Sequence, residues 1–350
     1  MLVKELLITG DTPTGSATAG RPGGDGGDRE SMAGIGRGAC HHGVVRALVT
    51  GGAGFIGSNI VDRLLRDGYD VAVLDDLSSG RRENLPADIE VFRGEVSDAD
   101  LVAKAVAGCE VVFHQAAHRA VLRSVEQPLA TNNANVTGTL TLLTAARDAG
   151  VRRFVGASSS SVYGGADIRP TPETATLLPR SPYAVSKLAG EHYGRVFWEL
   201  FGFETVNLRY FNVYGPRQRP DSQYAAVIPL FIDALRTGVA PEIHGDGKQS
   251  RDFSFIDDVV EANVCAAVAP AQDCAGKAYN VAGGRAYDLL ELLDLLAGHL
   301  GVTYTPRFTS SRAGDVRHSL ADISAADHDL GFRASVAFVE GLRRTVAWFR

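Results

Sequence analysis

From residue 45 onward the chain repeats one motif of hydrophobic patterning. Short apolar, β-branched runs occupy 46–50, 71–74, 89–92, 111–114, 154–157 and 205–208. They are continuous rather than alternating, as expected of strands covered on both faces. Between them, apolar residues spaced three and four apart predict helices over 58–67, 101–107, 138–149 and 182–201. Strands alternating with helices predict an α/β fold, a Rossmann-like doubly wound parallel sheet with ligands at the carboxyl ends of its strands. After Asn212 the alternation loosens, with helices predicted over 226–236, 257–268, 289–300 and 338–349. The expected organisation is a dinucleotide-binding domain over 45–212. A smaller, mainly C-terminal substrate-binding lobe follows over 213–350, and the chain is free to cross back.

Residues 1–44 break this pattern. The stretch 12–30 is rich in Gly, Pro, Thr and Asp, with too few large apolar groups to offset its ordering entropy. A disordered tail is expected there. The only methionines are Met1 and Met32, so Met32 is an alternative start of translation.

Composition narrows the function. A net charge of −6 over 350 residues leaves no basic footprint for nucleic acid. The four cysteines, Cys40, Cys109, Cys265 and Cys274, form no Cys-x-x-Cys pair, so neither zinc nor a redox dithiol is expected. They read as thiols of a reducing compartment. No apolar run approaches the roughly 20 residues that span a bilayer, and Leu6-Leu7-Ile8 is too short for a secretory signal. These features predict a cytoplasmic protein with no resident metal and no membrane partner.

The chemistry begins at Gly51-Gly52-Ala53-Gly54-Phe55-Ile56-Gly57, between the first strand and the first helix. Gly51 permits a tight turn, Gly54 a close approach to pyrophosphate, and Gly57 close packing of helix on strand. The helix N-terminus then offers free N–H groups to phosphate. A glycine-rich turn alone is weak evidence. Here the second strand ends in Leu74-Asp75, where an acid would accept from the adenosine ribose 2′-hydroxyl and repel a 2′-phosphate. Together they predict NAD rather than NADP.

A second constellation follows. Ser158-Ser159-Ser160-Ser161-Val162-Tyr163-Gly164 lies at a strand end, and Ser181-Pro182-Tyr183-Ala184-Val185-Ser186-Lys187 opens a helix. Ser181 suits the N-cap and Pro182 the first turn. Tyr183 and Lys187 are four apart and share a helix face. A free phenol with pKa about 10 is hardly ionised at neutral pH. A nearby ammonium and a positive nicotinamide favour the phenolate, which can take a proton from an alcohol as hydride leaves the same carbon. A Tyr–Lys pair on a helix is commonplace by itself; the serine-rich strand end and the dinucleotide loop give it chemical meaning.

With these motifs in place, residues 45–349 resemble the extended short-chain dehydrogenases, specifically the UDP-sugar 4-epimerases. The likeness extends through His114-Gln115-Ala116-Ala117, Asn135-Val136-Thr137-Gly138-Thr139, Arg209-Tyr210-Phe211-Asn212 and Arg312-Ala313-Gly314-Asp315. The resemblance implies a catalytic Ser159 with Tyr183 and Lys187. It implies cofactor contacts from Gly51, Gly54, Phe55, Ile56, Gly57, Asp75, Val96, Gln115, Ala116, Ala117, Arg119 and Asn135, with Phe211 near the nicotinamide. Glu95 stands where the family usually has Asp beside the adenine, which weakens that contact. UDP would be held by Asn212, Ala226, Val227, Ile243, His244, Arg251, Arg312 and Asp315, and the sugar would meet Ser160 and Ser161. The implied mechanism oxidises C4 of the hexose to a ketone, swings the 4-keto sugar about its diphosphate, and returns hydride to the other face. The family is usually a homodimer joined through the helix bearing Tyr183.

Three features bear on the reaction and the sugar. Related dehydratases carry Asp-Glu where this chain has Ser160-Ser161, so elimination lacks its acid. A non-catalytic NAD-binding role is disfavoured by the intact Ser159, Tyr183 and Lys187. Four residues after Asp315, Ser319 replaces the bulky tyrosine of epimerases restricted to glucose and galactose, leaving room for a larger substituent. Arg219 stands where acetamido-sugar epimerases usually have an acid and uronate epimerases an arginine, able to clamp a C6 carboxylate. Asn212 and the stretch 224–229 look instead like the acetamido group. UDP-glucuronate/UDP-galacturonate is the leading expectation, with UDP-GlcNAc/UDP-GalNAc close behind and UDP-glucose epimerisation or nucleotide-sugar dehydration ranked after them.

Overall fold

The computed structural model describes residues 44–220, 226–311 and 316–349. The tail expected at 1–44 (Val44 excepted) and the contacts expected of Arg312 and Asp315 lie outside the described residues. Six strands fall on the predicted runs, their ends moved by at most two residues. They are β1 (Arg46–Thr50), β2 (Asp70–Asp75), β3 (Glu90–Arg93), β4 (Val111–His114), β5 (Arg153–Ser159) and β6 (Glu204–Tyr210). A seventh strand, Lys277–Val281, crosses back from the C-terminal half and pairs with β6. The sheet runs Lys277–Val281, β6, β5, β4, β1, β2, β3, and every pairing is parallel. The order reverses between β1 and β4, so a crevice opens at the carboxyl ends of these two strands.

Alternate residues of each strand enter opposite layers. In β1, Ala47 and Val49 pack with Ile60, Val61 and Leu64 of helix α1 (Phe55–Arg66). Leu48 packs on the other face with Val102 of α2 (Ala99–Val106). Between β4 and β5 lie α3 (Val121–Glu126), α4 (Pro128–Asn132), a π-helical turn over Asn133–Thr137, and α5 (Gly138–Asp148). Only α5 was legible from periodicity, because α3 and α4 are shorter than two turns. Helix α6 (Pro182–Phe201) starts and stops where its sequence dictates. The Ser181 hydroxyl accepts from the Ala184 N–H at 3.1 Å, Pro182 occupies the first turn, and Gly202 ends the helix at φ +65°.

The C-terminal half supplies α7 (Val227–Thr237), α8 (Ile256–Val268) and the helices Leu289–Leu300 and Phe338–Phe349. Val259 and Ala266 of α8 are buried in the same layer as α1, so this half covers one face of the sheet as well as building the substrate side. Two short ribbons complete it: Ser250–Asp252 runs antiparallel to Ala286–Asp288, and Glu242–His244 parallel to Arg307–Thr309. Among the described residues no helix is long and apolar enough to cross a membrane.

Candidate active site

The crevice at the β1–β4 switch is built by glycines that admit nothing larger. Gly51 turns the chain at φ +65°, and a Cβ there would sit 2.7 Å from the Ala116 nitrogen. At Gly57 a Cβ would strike the Gly51 carbonyl. Helix α1 begins at Gly54 with no side-chain cap and no acid in its first turn, which leaves its leading N–H groups to an anion. The Asp75 carboxylate shapes the next wall, accepting from the Ala53 N–H at 2.9 Å and the Leu77 N–H at 2.8 Å. Burial raises its pKa from the usual carboxylate value, against the pull of these two donors.

A cleft runs through this crevice. Of the residues expected at the cofactor, Gly51, Gly54, Phe55, Ile56, Gly57, Asp75, Glu95, Val96, Gln115, Ala116, Ala117 and Arg119 line it, as do Tyr183 and Lys187. Asn135, Phe211 and Ser159 do not. Asn135 lies in the π-helical turn and spends its amide on structure. It accepts from the His118 N–H at 2.7 Å and donates to the His118 carbonyl and the Ser186 hydroxyl. It therefore fixes the cleft wall at His118 from behind. Phe211 is buried against Val162 and Tyr163. Sequence reasoning passed over Tyr210, Ser158 and His118, which line the cleft. Tyr210 sits inside the quoted Arg209–Asn212 motif; its hydroxyl donates to Gln115 Oε1 at 3.2 Å and accepts from Asn263 Nδ2 at 2.9 Å.

At the inner end, β5 and α6 bring the three catalytic candidates together. Ser159 closes β5, its Oγ accepting from the Ser161 N–H at 3.2 Å, and its hydroxyl is hydrogen-bonded to Tyr183. Lys187 Nζ donates to the Ala157 carbonyl at 2.8 Å. Burial lowers the Lys187 pKa to about 8, and the Glu191 carboxylate one turn along α6 opposes that shift. Burial also holds the Tyr183 phenol above its ordinary value, although Ser159 and the Arg119 guanidinium pull it down. The Lys187 ammonium itself is turned onto the Ala157 backbone carbonyl.

Beneath them lies a buried polar network. Glu191 accepts two hydrogen bonds from Arg209, at 2.9 and 2.7 Å, and one from Ser158. Arg209 also donates to the Tyr163 hydroxyl at 2.8 Å, which donates to Asn280 at 2.7 Å.

A second cleft opens two residues beyond Tyr210. Asn212, Ala226, Val227, His244 and Arg251 line it, all expected at the nucleotide-sugar. Ile243 is fully buried and does not reach it. Asn212 holds a left-handed φ of +33°, with Nδ2 donating to the Asp252 carbonyl at 2.8 Å and to Ser319 Oγ at 3.5 Å. Ser319 thus stands beside Asn212, although it lines neither of the two clefts itself. Ser160 and Ser161 form the 3-10 turn after Ser159, and Ser161 Oγ is buried without a hydrogen-bond partner among the described residues. Arg219 lines neither cleft. Among the described residues no cluster of His, Cys, Asp or Glu could hold a metal ion.

A dinucleotide crevice joined to a Ser–Tyr–Lys set defines an oxidoreductase-type site of the short-chain dehydrogenase kind. The comparisons agree: residues 47–282 match the model of the NAD dependent epimerase/dehydratase family. The chain belongs to that family, with NAD as its cofactor. It is 44% identical over 313 residues to a UDP-glucose 4-epimerase of Mycolicibacterium smegmatis, covering 87% of this chain and 99% of that one. A UDP-N-acetylglucosamine 4-epimerase from Methanobrevibacter ruminantium, solved with UDP-N-acetylmuramic acid, superposes with a TM-score of 0.83 at 40% identity, over 87% of this chain and 98% of that one. A UDP-glucuronate 4-epimerase of Thermodesulfobacterium geofontis is 30% identical over 314 residues, 86% of this chain and 95% of that one.

Proposed function

We propose that the protein interconverts UDP-hexoses epimeric at C4. The observation that carries this reading is Tyr183 and Lys187 in the wall of the cofactor cleft, with Ser159 hydrogen-bonded to Tyr183 and the Asn212 and Arg251 cleft opening just beyond β6. NAD, when bound, supplies a reversible acceptor for the C4 hydride. Arg251, which lines the second cleft, would hold the diphosphate by charge-assisted hydrogen bonds. Tyr183 takes the proton of the C4 hydroxyl while the Ser159 hydroxyl holds the same oxygen. Lys187 supplies positive charge behind the phenol. The unpartnered Ser161 hydroxyl provides a hydrogen bond for a sugar hydroxyl, and no carboxylate stands at 160 or 161 to expel one.

For the sugar, Ser319 is the feature that carries weight. A small side chain beside Asn212 leaves space at the hexose for an N-acetyl group as well as a hydroxyl, so we read the substrates as UDP-glucose/UDP-galactose and UDP-GlcNAc/UDP-GalNAc. The uronate reading is the second one. It draws on the T. geofontis relative and on Arg219, which, like Ser319, lines neither of the two clefts.

The test is a panel of UDP-glucose, UDP-GlcNAc and UDP-glucuronate incubated with pure enzyme and resolved by chromatography. Conversion of the first two, with Ser319→Tyr abolishing only the acetamido activity, is the expected result. Conversion of UDP-glucuronate alone would transfer the assignment to the uronates. No epimer from any of them would remove the proposal.

A further inference from the structure

Outside the catalytic set, one buried carboxylate gathers most of the substrate side around itself. Asp252 is wholly inaccessible. Its Oδ1 accepts from the Gly283 N–H at 2.9 Å, and its Oδ2 from the Ala321 N–H at 3.1 Å. The N–H groups of Gly284 and Arg285 also point their positive ends at it. These donors come from two separate segments, the turn after strand Lys277–Val281 and the stretch that carries Ser319. The carboxylate pins both of them to the end of strand Ser250–Asp252.

The backbone of the same residue faces the ligand side. Its carbonyl accepts from Asn212 Nδ2 at 2.8 Å, and its N–H donates to Ser319 Oγ at 3.4 Å. The preceding residue is Arg251, which lines the second cleft. Asn212 sits at a φ of +33°, a left-handed conformation that Asn tolerates better than most L-residues, and its side-chain bond to the Asp252 carbonyl holds it there. A chain of contacts thus runs from the Gly283 turn and Ala321, through the Asp252 carboxylate, to its backbone, and from there to Asn212 and Ser319.

We infer that Asp252 is the positioning residue of the sugar-nucleotide cleft, fixing Asn212, Ser319 and Arg251 in mutual register without touching the ligand. This inference rests on the reading of that cleft as the UDP-sugar site. Asp252→Asn keeps the size of the side chain but turns an amide NH2 toward one of the backbone donors, so one donor is left unpaired and the anchor slackens. The reacting groups on β5 and α6 make no hydrogen bond to Asp252, so turnover at saturation should survive.

The experiment measures three quantities on the full-length enzyme and its Asp252→Asn variant: Kd for UDP by calorimetry, Kd for NAD, and KM with kcat for whichever UDP-sugar turns over. A rise of at least tenfold in Kd for UDP and in KM, with kcat and NAD affinity within threefold, is expected. A merely structural role would lower kcat and NAD affinity alongside the others, and that pattern, or an unchanged UDP affinity, overturns the inference. Binding of UDP is measured without catalysis, so absence of epimerase activity would strike the proposed function and leave this test intact. Should the variant fail to fold, hydrogen exchange on the unmodified protein decides. Saturating UDP should slow exchange of the Gly283 amide, which is coupled to the cleft through Asp252. An unaltered rate would refute the coupling.

Discussion

Lys187 shows at the scale of one residue how this site sets function against stability. Its ammonium is buried, and its pKa of about 8 in place of 10.5 means that holding the charge at neutral pH costs roughly 3 kcal/mol. That figure is the net cost with the hydrogen bond to the Ala157 carbonyl in place. In a lysine with a lowered pKa the folded state releases its proton first, so the cost is present below pH 8 and relieved between about 8 and 10.5. Lys187→Met should therefore lose activity by orders of magnitude while the protein becomes more stable at pH 7 by about 1–2 kcal/mol, a gain that should vanish towards pH 10. Tyr183→Phe, by contrast, should cost 10²–10⁴-fold in kcat with little change in melting temperature. Urea titrations of both variants at pH 7 and 9.5 check the signs; a destabilised Lys187→Met at pH 7 would show that the buried ammonium is compensated by its partners.

At the scale of elements, His114 ties the cofactor loop to the sheet and helices behind it. Thr139 Oγ1 donates to the Asn135 carbonyl at 2.6 Å, so it must accept from His114 Nε2 at 2.9 Å. His114 Nδ1 is then an acceptor, taking the hydroxyl proton of Thr50 at 2.7 Å, while Thr50 Oγ1 accepts from the Ala116 N–H at 3.2 Å. These partners assign the neutral Nε2–H tautomer. One imidazole links the ends of β1 and β4 to α5 and the π-helical turn. Burial first, then the Lys187 charge, push its pKa down to about 3. The unfolded chain takes up the proton near pH 6.5 and the folded protein does not, so stability is complete above that value and is lost as pH falls from 6.5 towards 3. Between pH 7 and 5.5 the wild type should lose more unfolding free energy than His114→Gln, read from urea midpoints; equal losses would remove His114 from that role.

The same scale shows what was legible in the sequence. Strands β1 to β6 and helices α1, α2, α5 and α6 follow from unbroken apolar runs, helical spacing and caps, because burial in a two-faced sheet leaves those marks locally. The residues lining the first cleft were legible because glycines and Asp75 act through backbone sterics and charge at fixed offsets. What escaped depends on contacts distant in sequence. The return of Lys277–Val281 to the sheet is a matter of topology, and the partners of Asp252 lie at positions 212, 283, 319 and 321. Asn135 was assigned to the cofactor, although its amide is consumed by His118 and Ser186.

For the whole molecule, α6 and the two short helices packed on it carry a group of exposed apolar side chains. Leu200 is 70% exposed, Leu129 of α4 86% and Val125 of α3 62%, with Val121, Leu122, Val185, Val196 and Phe201 also open to solvent. Both short helices pack against α6, so these side chains belong to one region of the fold. Apolar side chains gathered on one region are costly on an isolated subunit and are what an interface would cover. A second copy is the expected occupant, because a two-fold contact through α6 would let each apolar patch cover its equivalent. Pairing there would also brace the helix that holds Tyr183 and Lys187. The prediction is a dimer of about twice the 37.1 kDa chain mass in light scattering at micromolar concentration. Leu129→Glu with Leu200→Glu should give a monomer that still binds NAD, since neither side chain lines the first cleft. A wild-type protein that scatters as a monomer over the same range would mean that this surface serves another partner or none.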